Sequence, residues 1–199
     1  MHILGVTGGV ATGKSTVTRM LADLGAPTVS ADALARDLLA PGAAATRAVL
    51  AAFPACADLA DPAGQTVDRR ALGRLVFDDP SARARLEALT HPAIIAALAE
   101  QVAAWRPSSE APAAAAEIPL LFEAGLTALV GTVVVVACAE AAQVARLRAR
   151  LGADEAEARR LIQAQWPLSE KIARADVVIT TDGDLADTRR QVGALWETL

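Results

Sequence analysis

Residues 5–16 read "GVTGGVATGKST", directly after the short apolar stretch "HIL". Twelve positions hold four glycines, four hydroxyl residues and one lysine. Gly8, Gly13, Lys14 and Ser15 fit the spacing G-x-x-x-x-G-K-[ST] of a phosphate-binding loop. Glycines let the backbone curl into a nest with its N–H groups turned inward, and a helix beginning near Gly13 adds the positive end of its dipole. Gly8, Gly9, Val10, Ala11, Thr12, Gly13, Lys14, Ser15 and Thr16 are therefore expected to hold ATP. Lys14 is expected to reach the β- and γ-phosphates, and Ser15 to reach Mg²⁺. The competing interpretation is a plain glycine-rich turn. Against it, the chain has 19 basic residues but only two lysines, Lys14 and Lys171, and one of them falls where a compact charge on a flexible stem is wanted.

Outward from the loop, "HILGV" reads as a buried strand and "KSTVTRMLADLG" as a helix stopped by Gly25. Further strands are expected near 26–30, 113–118, 131–138 and 176–180, with helical text between them. Such alternation predicts an α/β fold of three layers, with a five-stranded parallel sheet covered on both faces. Residues 40–105 depart from it: four helical stretches and no convincing strand, with a helix start expected at "THP" (90–92). This block reads as a helical insertion. The core is placed at about 1–39 and 110–199, "RPSSEAPA" (106–113) as a linker and 147–170 as a lid.

Composition narrows the function. The 199 residues are 53% hydrophobic and only 3% aromatic, with no tyrosine and a net charge of −4. That argues against nucleic acid, which calls for basic and stacking surfaces, and against anionic membrane. The longest uncharged run, 124–139, has 16 residues and two glycines, too short for a span of about 20. No secretory leader is legible at the first residues. Cys56 and Cys138 read as buried free thiols. A cytoplasmic enzyme is the expectation, with no obligate protein partner indicated.

Five residues outside the loop are candidates to carry chemistry. Asp32 follows the second strand and is either a helix cap or a carboxylate able to take a proton or order Mg²⁺. Arg146 and Arg150 share one helical face before Gly152, either as a solvated face or as a cationic cover over phosphates. Glu117, at the end of the third strand, is either a surface acid or the holder of a metal-bound water. His91, before Pro92, is either a capping residue or an anion contact.

Taken in order, "TGGVATGKST", "SADALAR", "APG", "RRALGRLVF", "HP", "EIPLLFE", "RLRAR" and "QWPLSEKIARADVVI" resemble dephospho-CoA kinase over nearly the whole chain. The resemblance implies phosphoryl transfer from ATP, with Mg²⁺, to the ribose 3′-hydroxyl of dephospho-CoA. It also implies a nucleotide core, a helical CoA-binding part and a lid. Asp32 then matches the family's general base and Arg146 its lid arginine; Arg36 and His91 are expected at the acceptor. Two departures stand out: Ser30 replaces the first acid of Asp-Ala-Asp, and Glu117 replaces an aspartate. Other kinases of small molecules share the loop. A GTPase would need an Asn/Thr-Lys-x-Asp motif, which neither lysine supplies, and the D-x-x-G at Asp61–Gly64 follows no apolar strand.

Overall fold

The structure is a computed structural model that describes residues 1–59, 61–106 and 110–199 and, at 77 and 78, the backbone only. It divides into two compact units, Met1–Ser30 with Gln101–Leu199, and Ala31–Glu100. Of the expected linker 106–113, residues 107–109 lie outside the described residues.

The first unit is built on five parallel strands: β1 (His2–Gly8), β2 (Thr28–Ser30), β3 (Ala113–Glu117), β4 (Thr132–Ala137) and β5 (Val177–Thr180), in the order β2-β3-β1-β4-β5. Each falls within a residue of a run expected from sequence or well inside it. β3 is four alanines and a glutamate, poor strand formers by propensity, yet all five are buried between neighbouring strands. Context overrides propensity there. Side chains of both parities on β1, β3 and β4 are buried, as a sheet covered on both faces requires. Under one face, α1 (Lys14–Asp23) packs its Val17, Met20 and Leu21 with Leu4, Val6, Val134 and Ile179.

The second unit begins with α2 (Ala31–Leu38) and α3 (Ala44–Ala52). A 3₁₀ turn at Pro54–Cys56 and an isolated bridge between Ala57 and Val67 lead to α4 (Arg69–Asp78), which Asp68 caps. Its core is Val49, Phe53, Cys56, Val67, Leu72 and Ala82. Asp61 accepts from Ala63 N, Gln65 N and Thr66 Oγ1, so Asp61–Gly64 is a self-contained turn.

The expected helix start at 90–92 is not there. α5 runs unbroken from Pro80 to Trp105, with Pro92 inside it. A proline costs a helix interior about 3 kcal/mol through its missing N–H and a carbonyl clash. Here Pro92 is exposed, and Thr90 Oγ1 donates to the Leu86 carbonyl one turn back, so the hydroxyl serves a helix interior rather than an end.

Back in the first unit, α6 (Glu140–Leu151) and α7 (Glu155–Gln163) pack on each other through Val144, Leu147 and Ala158. α8 (Leu168–Ala173) precedes β5, and α9 (Leu185–Trp196) adds Val192 and Leu195 to the core beneath the sheet. Cys56 and Cys138 are free and buried. No described helix is long and apolar enough to cross a membrane.

Candidate active site

The loop between β1 and α1 lies at the carboxyl end of the sheet, where β1 pairs with β3 on one side and β4 on the other. Strand order reverses at this point, so the flanking connections diverge and leave a crevice. Gly8 has φ +146°, and a Cβ there would come within 2.2 Å of the Val136 carbonyl oxygen. Gly13, at φ +97°, turns the chain into α1, whose first turn closes with Thr16 N and Val17 N on the Gly13 carbonyl. Ala11 sits at φ 58°, the only non-glycine residue with positive φ among those described.

The loop's carbonyls are held by side chains one after another. Lys14 Nζ (2.8 Å) and Thr12 Oγ1 (2.9 Å) donate to Gly9 O. Gln143 Nε2 donates to Val10 O (2.7 Å), Arg146 Nη1 to Ala11 O (3.2 Å) and Thr181 Oγ1 to Thr12 O (2.7 Å). Lys171 Nζ lies 3.5 Å from Gly8 O. In a trans peptide the C=O and the next N–H point opposite ways. Holding the Val10 and Thr12 carbonyls this way turns the N–H groups of Ala11 and Gly13 the other way, toward a concavity suited to an anion, while Thr12 N closes a turn on Gly9 O (3.4 Å).

Arg146 is more than a loop contact. Nη2 donates to Thr181 O (2.6 Å) and Nη1 to Thr181 Oγ1 (3.0 Å), so one half-buried guanidinium joins the loop to the residue after β5. Arg150, expected on the same face, is exposed. Only Arg146 of that pair is fastened to the loop. Beside it a cavity of about 370 Å³ is lined by Gly13, Thr16, Thr181, Asp184, Leu185 and Thr188. Burial pushes the Cys138 thiol up, against the opposing pull of Arg146 and Lys14. It is a protonated, inert neighbour.

Ser15 Oγ donates to Glu117 Oε1 (2.8 Å). Glu117 is 5% exposed and pairs in register with Val6 and Ser30, so a buried carboxylate faces the hydroxyl at the start of α1.

Asp32, Arg36 and His91 belong to the other unit. Asp32 is exposed in the first turn of α2; it is inside the helix rather than its cap. Arg36 is exposed one turn later, and its carbonyl accepts from Arg69 Nη2 (2.9 Å). His91 is half-buried in the middle of α5.

Gln143, Thr181, Lys171 and Glu123 were not singled out by the sequence. Lys171 Nζ pairs with Glu123 Oε1 (2.7 Å). None of the four has a local signal: Gln143, Thr181 and Lys171 meet the loop across more than a hundred residues of chain, and Glu123 meets Lys171 across forty-eight; only the scarcity of lysine marked Lys171.

A nest at the carboxyl end of a parallel sheet, with a lysine in it and an arginine against it, defines a P-loop phosphotransferase. Residues 2–187 match the family described as CoaE: Dephospho-CoA kinase. The dephospho-CoA kinase of Geobacter metallireducens is 46% identical over 197 residues, 99% of this chain and 96% of that one. The crystal structure of TT1252 from Thermus thermophilus superposes with TM-score 0.80 at 35% identity, over 100% of this chain and 97% of the other. Dephospho-CoA kinase from Campylobacter jejuni gives TM-score 0.70 at 28% identity, over 98% and 95%. This chain belongs to the dephospho-CoA kinase family.

Proposed function

We infer that the chain transfers the γ-phosphoryl group of ATP to the ribose 3′-hydroxyl of dephospho-CoA, giving CoA and ADP, the final step of CoA biosynthesis. Within the family, the observation that carries this reading is the phosphate nest, with its carbonyls held outward beside Lys14. On this reading Lys14 leaves the Gly9 carbonyl for the β- and γ-phosphates, and the N–H groups at the start of α1 meet the same anion. Arg146 stays on the loop and turns its charge to the phosphates, while the adenosine enters the cavity beside Thr181. That cavity's volume falls in the range of small-molecule sites.

The residues present fit Mg²⁺. Among those described, no three His, Cys, Asp or Glu side chains group into a metal cage. A Mg²⁺ held by phosphates, waters and one or two protein oxygens needs none. Ser15 Oγ and, through water, the buried Glu117 carboxylate are the oxygens we assign to it. When bound, the ion would offset the negative charge that develops on the phosphates during transfer.

For the acceptor we propose residues 40–105 as the dephospho-CoA-binding part and 147–170 as the lid. Asp32 is the general base, with Arg36 and His91 as contacts for the anionic substrate. The ribose oxygen forms its bond to the γ-phosphorus as the bond to the β,γ-bridging oxygen breaks. ADP leaves, and the hydroxyl proton passes late to the Asp32 carboxylate. Ser30 cannot substitute for a second carboxylate, so one acid suffices. ADP release with dephospho-CoA, set beside nucleoside monophosphates and gluconate, tests the reading. Faster turnover of any other acceptor would overturn it.

A further inference from the structure

Lys171 has no part in the chemistry above, yet its side chain is fully buried. Three acceptors from two segments, the end of β1 and the stretch after β3, converge on its ammonium: Glu123 Oε1 at 2.7 Å, Pro119 O at 3.3 Å and Gly8 O at 3.5 Å. Glu123 is itself tied down. Its Oε1 also accepts from Trp166 N (3.1 Å), Phe122 stacks on Trp166 with ring centroids 6.2 Å apart, and Arg174 lies over the same indole. The other oxygen, Oε2, is buried with no hydrogen-bond partner. Burying a charge pair is expensive in desolvation and by itself weak evidence of a gain in stability. The geometry shows what this pair does instead. It puts a full positive charge at the first carbonyl of the phosphate loop.

We propose that Lys171, anchored by Glu123, is a positioning residue for phosphate binding: it fixes the Gly8 carbonyl and with it the point where β1 gives way to the phosphate loop. Gly8 is the last residue of β1 and pairs in register with Val136 of β4, so a cation on its carbonyl fixes the root from which the loop springs. The same ammonium joins α8 to the segment after β3 through Pro119 and Glu123, so α8 and the loop respond together to what the nest holds. This rests on the reading of residues 8–16 as the ATP site.

The chain has only two lysines, which makes the test direct. In the full-length protein labelled with [ε-¹³C]lysine, two signals are expected, assigned with Lys171→Met. Titration with ADP and Mg²⁺ should move both at one midpoint. Movement of the Lys14 signal alone would overturn the proposal, and movement of neither would overturn the ATP-site reading beneath it. Enzyme variants supply the second measurement. Lys171→Met strands a buried carboxylate and should lower the melting temperature by about 10 °C. Lys171→Met/Glu123→Gln removes both charges while keeping an acceptor for Trp166 N–H, and should regain most of that loss. It should still bind ADP about tenfold more weakly, with KM for ATP raised likewise and KM for dephospho-CoA changed less than about twofold. A double variant with restored melting and native ADP affinity would make the pair merely structural.

Discussion

Replacing Arg146 by alanine separates two contributions that one side chain makes. In the structure its guanidinium bonds Ala11 O at 3.2 Å, Thr181 O at 2.6 Å and Thr181 Oγ1 at 3.0 Å. Hydrogen bonds from a charged donor contribute about 1.5–3 kcal/mol each when the partner is left dry. Arg146 is only half-buried, so water can reach the abandoned carbonyls, and Thr181 Oγ1 keeps its bond to Thr12 O. The net loss should then be about 1–2 kcal/mol. With a melting entropy of about 0.4 kcal/mol/K for a chain of this length, the melting temperature should fall by about 2–5 °C. Catalysis should suffer more. A cation fixed beside the phosphates that meets developing charge is worth a factor of about ten to a thousand in kcat/KM, or about 1.4–4 kcal/mol of barrier. Steady-state ADP release at saturating and limiting ATP, together with a thermal melt, measures both. Arg146→Lys should recover little, because a single ammonium cannot span Ala11 O and both Thr181 oxygens as a planar fork does. An Arg146→Ala enzyme with unchanged kcat/KM would refute the catalytic role. A melting loss well beyond 5 °C with a matching fall in the active fraction would assign the whole effect to folding.

Lys14→Ala should leave a cooperative thermal transition and almost no phosphoryl transfer; loss of the transition itself would make Lys14 structural. Asp32→Asn should lower kcat by about a hundredfold or more with ADP affinity nearly unchanged, and Ser30→Ala should be mild. Kinetics of the two variants with the reverse ranking would remove Asp32 as the base. Gly8→Ala should give little folded protein, since the new Cβ would lie 2.2 Å from the Val136 carbonyl oxygen; soluble yield and circular dichroism decide it. Hydrogen bonds from Ala71 N and Arg70 N, aided by Arg74 and Arg70, hold the Asp68 carboxyl below its usual range. A lowered folded-state pKa stabilises above the unfolded value of 3.8 and is lost as pH falls through the folded one. Melting temperatures recorded from pH 6 down to pH 2 should therefore drop less steeply below about pH 4 in Asp68→Asn, which keeps the cap but cannot titrate.

Much of the fold was legible because its signals are local. Apolar runs of strand length between helical stretches placed five strands, and "GGVATGK" placed the loop, since glycine spacing and a following lysine are contiguous features. Errors arose where a local signal met a tertiary context. Pro92 looked like a helix start because proline favours that position, but α5 absorbs it on an exposed face. Asp32 looked like a cap because it follows a strand, yet the helix already begins at Ala31. Arg146 and Arg150 share a face by periodicity, but only Arg146 is fastened to the loop, through Ala11 O, and sequence gives no measure of that reach.

The groups that shape the nest from outside were the least visible, and the reason is geometric. A backbone carbonyl can be met by a donor from anywhere in the chain, so Gln143 on Val10 and Thr181 on Thr12 leave no pattern at fixed spacing. Lys171 is the partial exception. The chain uses arginine for nearly every positive charge, and both of its lysines converge on this loop, Lys14 at Gly9 O and Lys171 at Gly8 O. Three acceptors converging from two segments suit a tetrahedral ammonium and not a planar guanidinium, whose longer fork would also overfill a fully buried position. The retention of lysine at 171 in so arginine-rich a sequence is thus the trace that this site leaves in one dimension. Lys171→Arg should accordingly fail where a surface Lys→Arg exchange would pass: the charge is kept, but ADP affinity should fall by about tenfold. Native ADP affinity in that variant would show that charge alone, without the converging geometry, is enough.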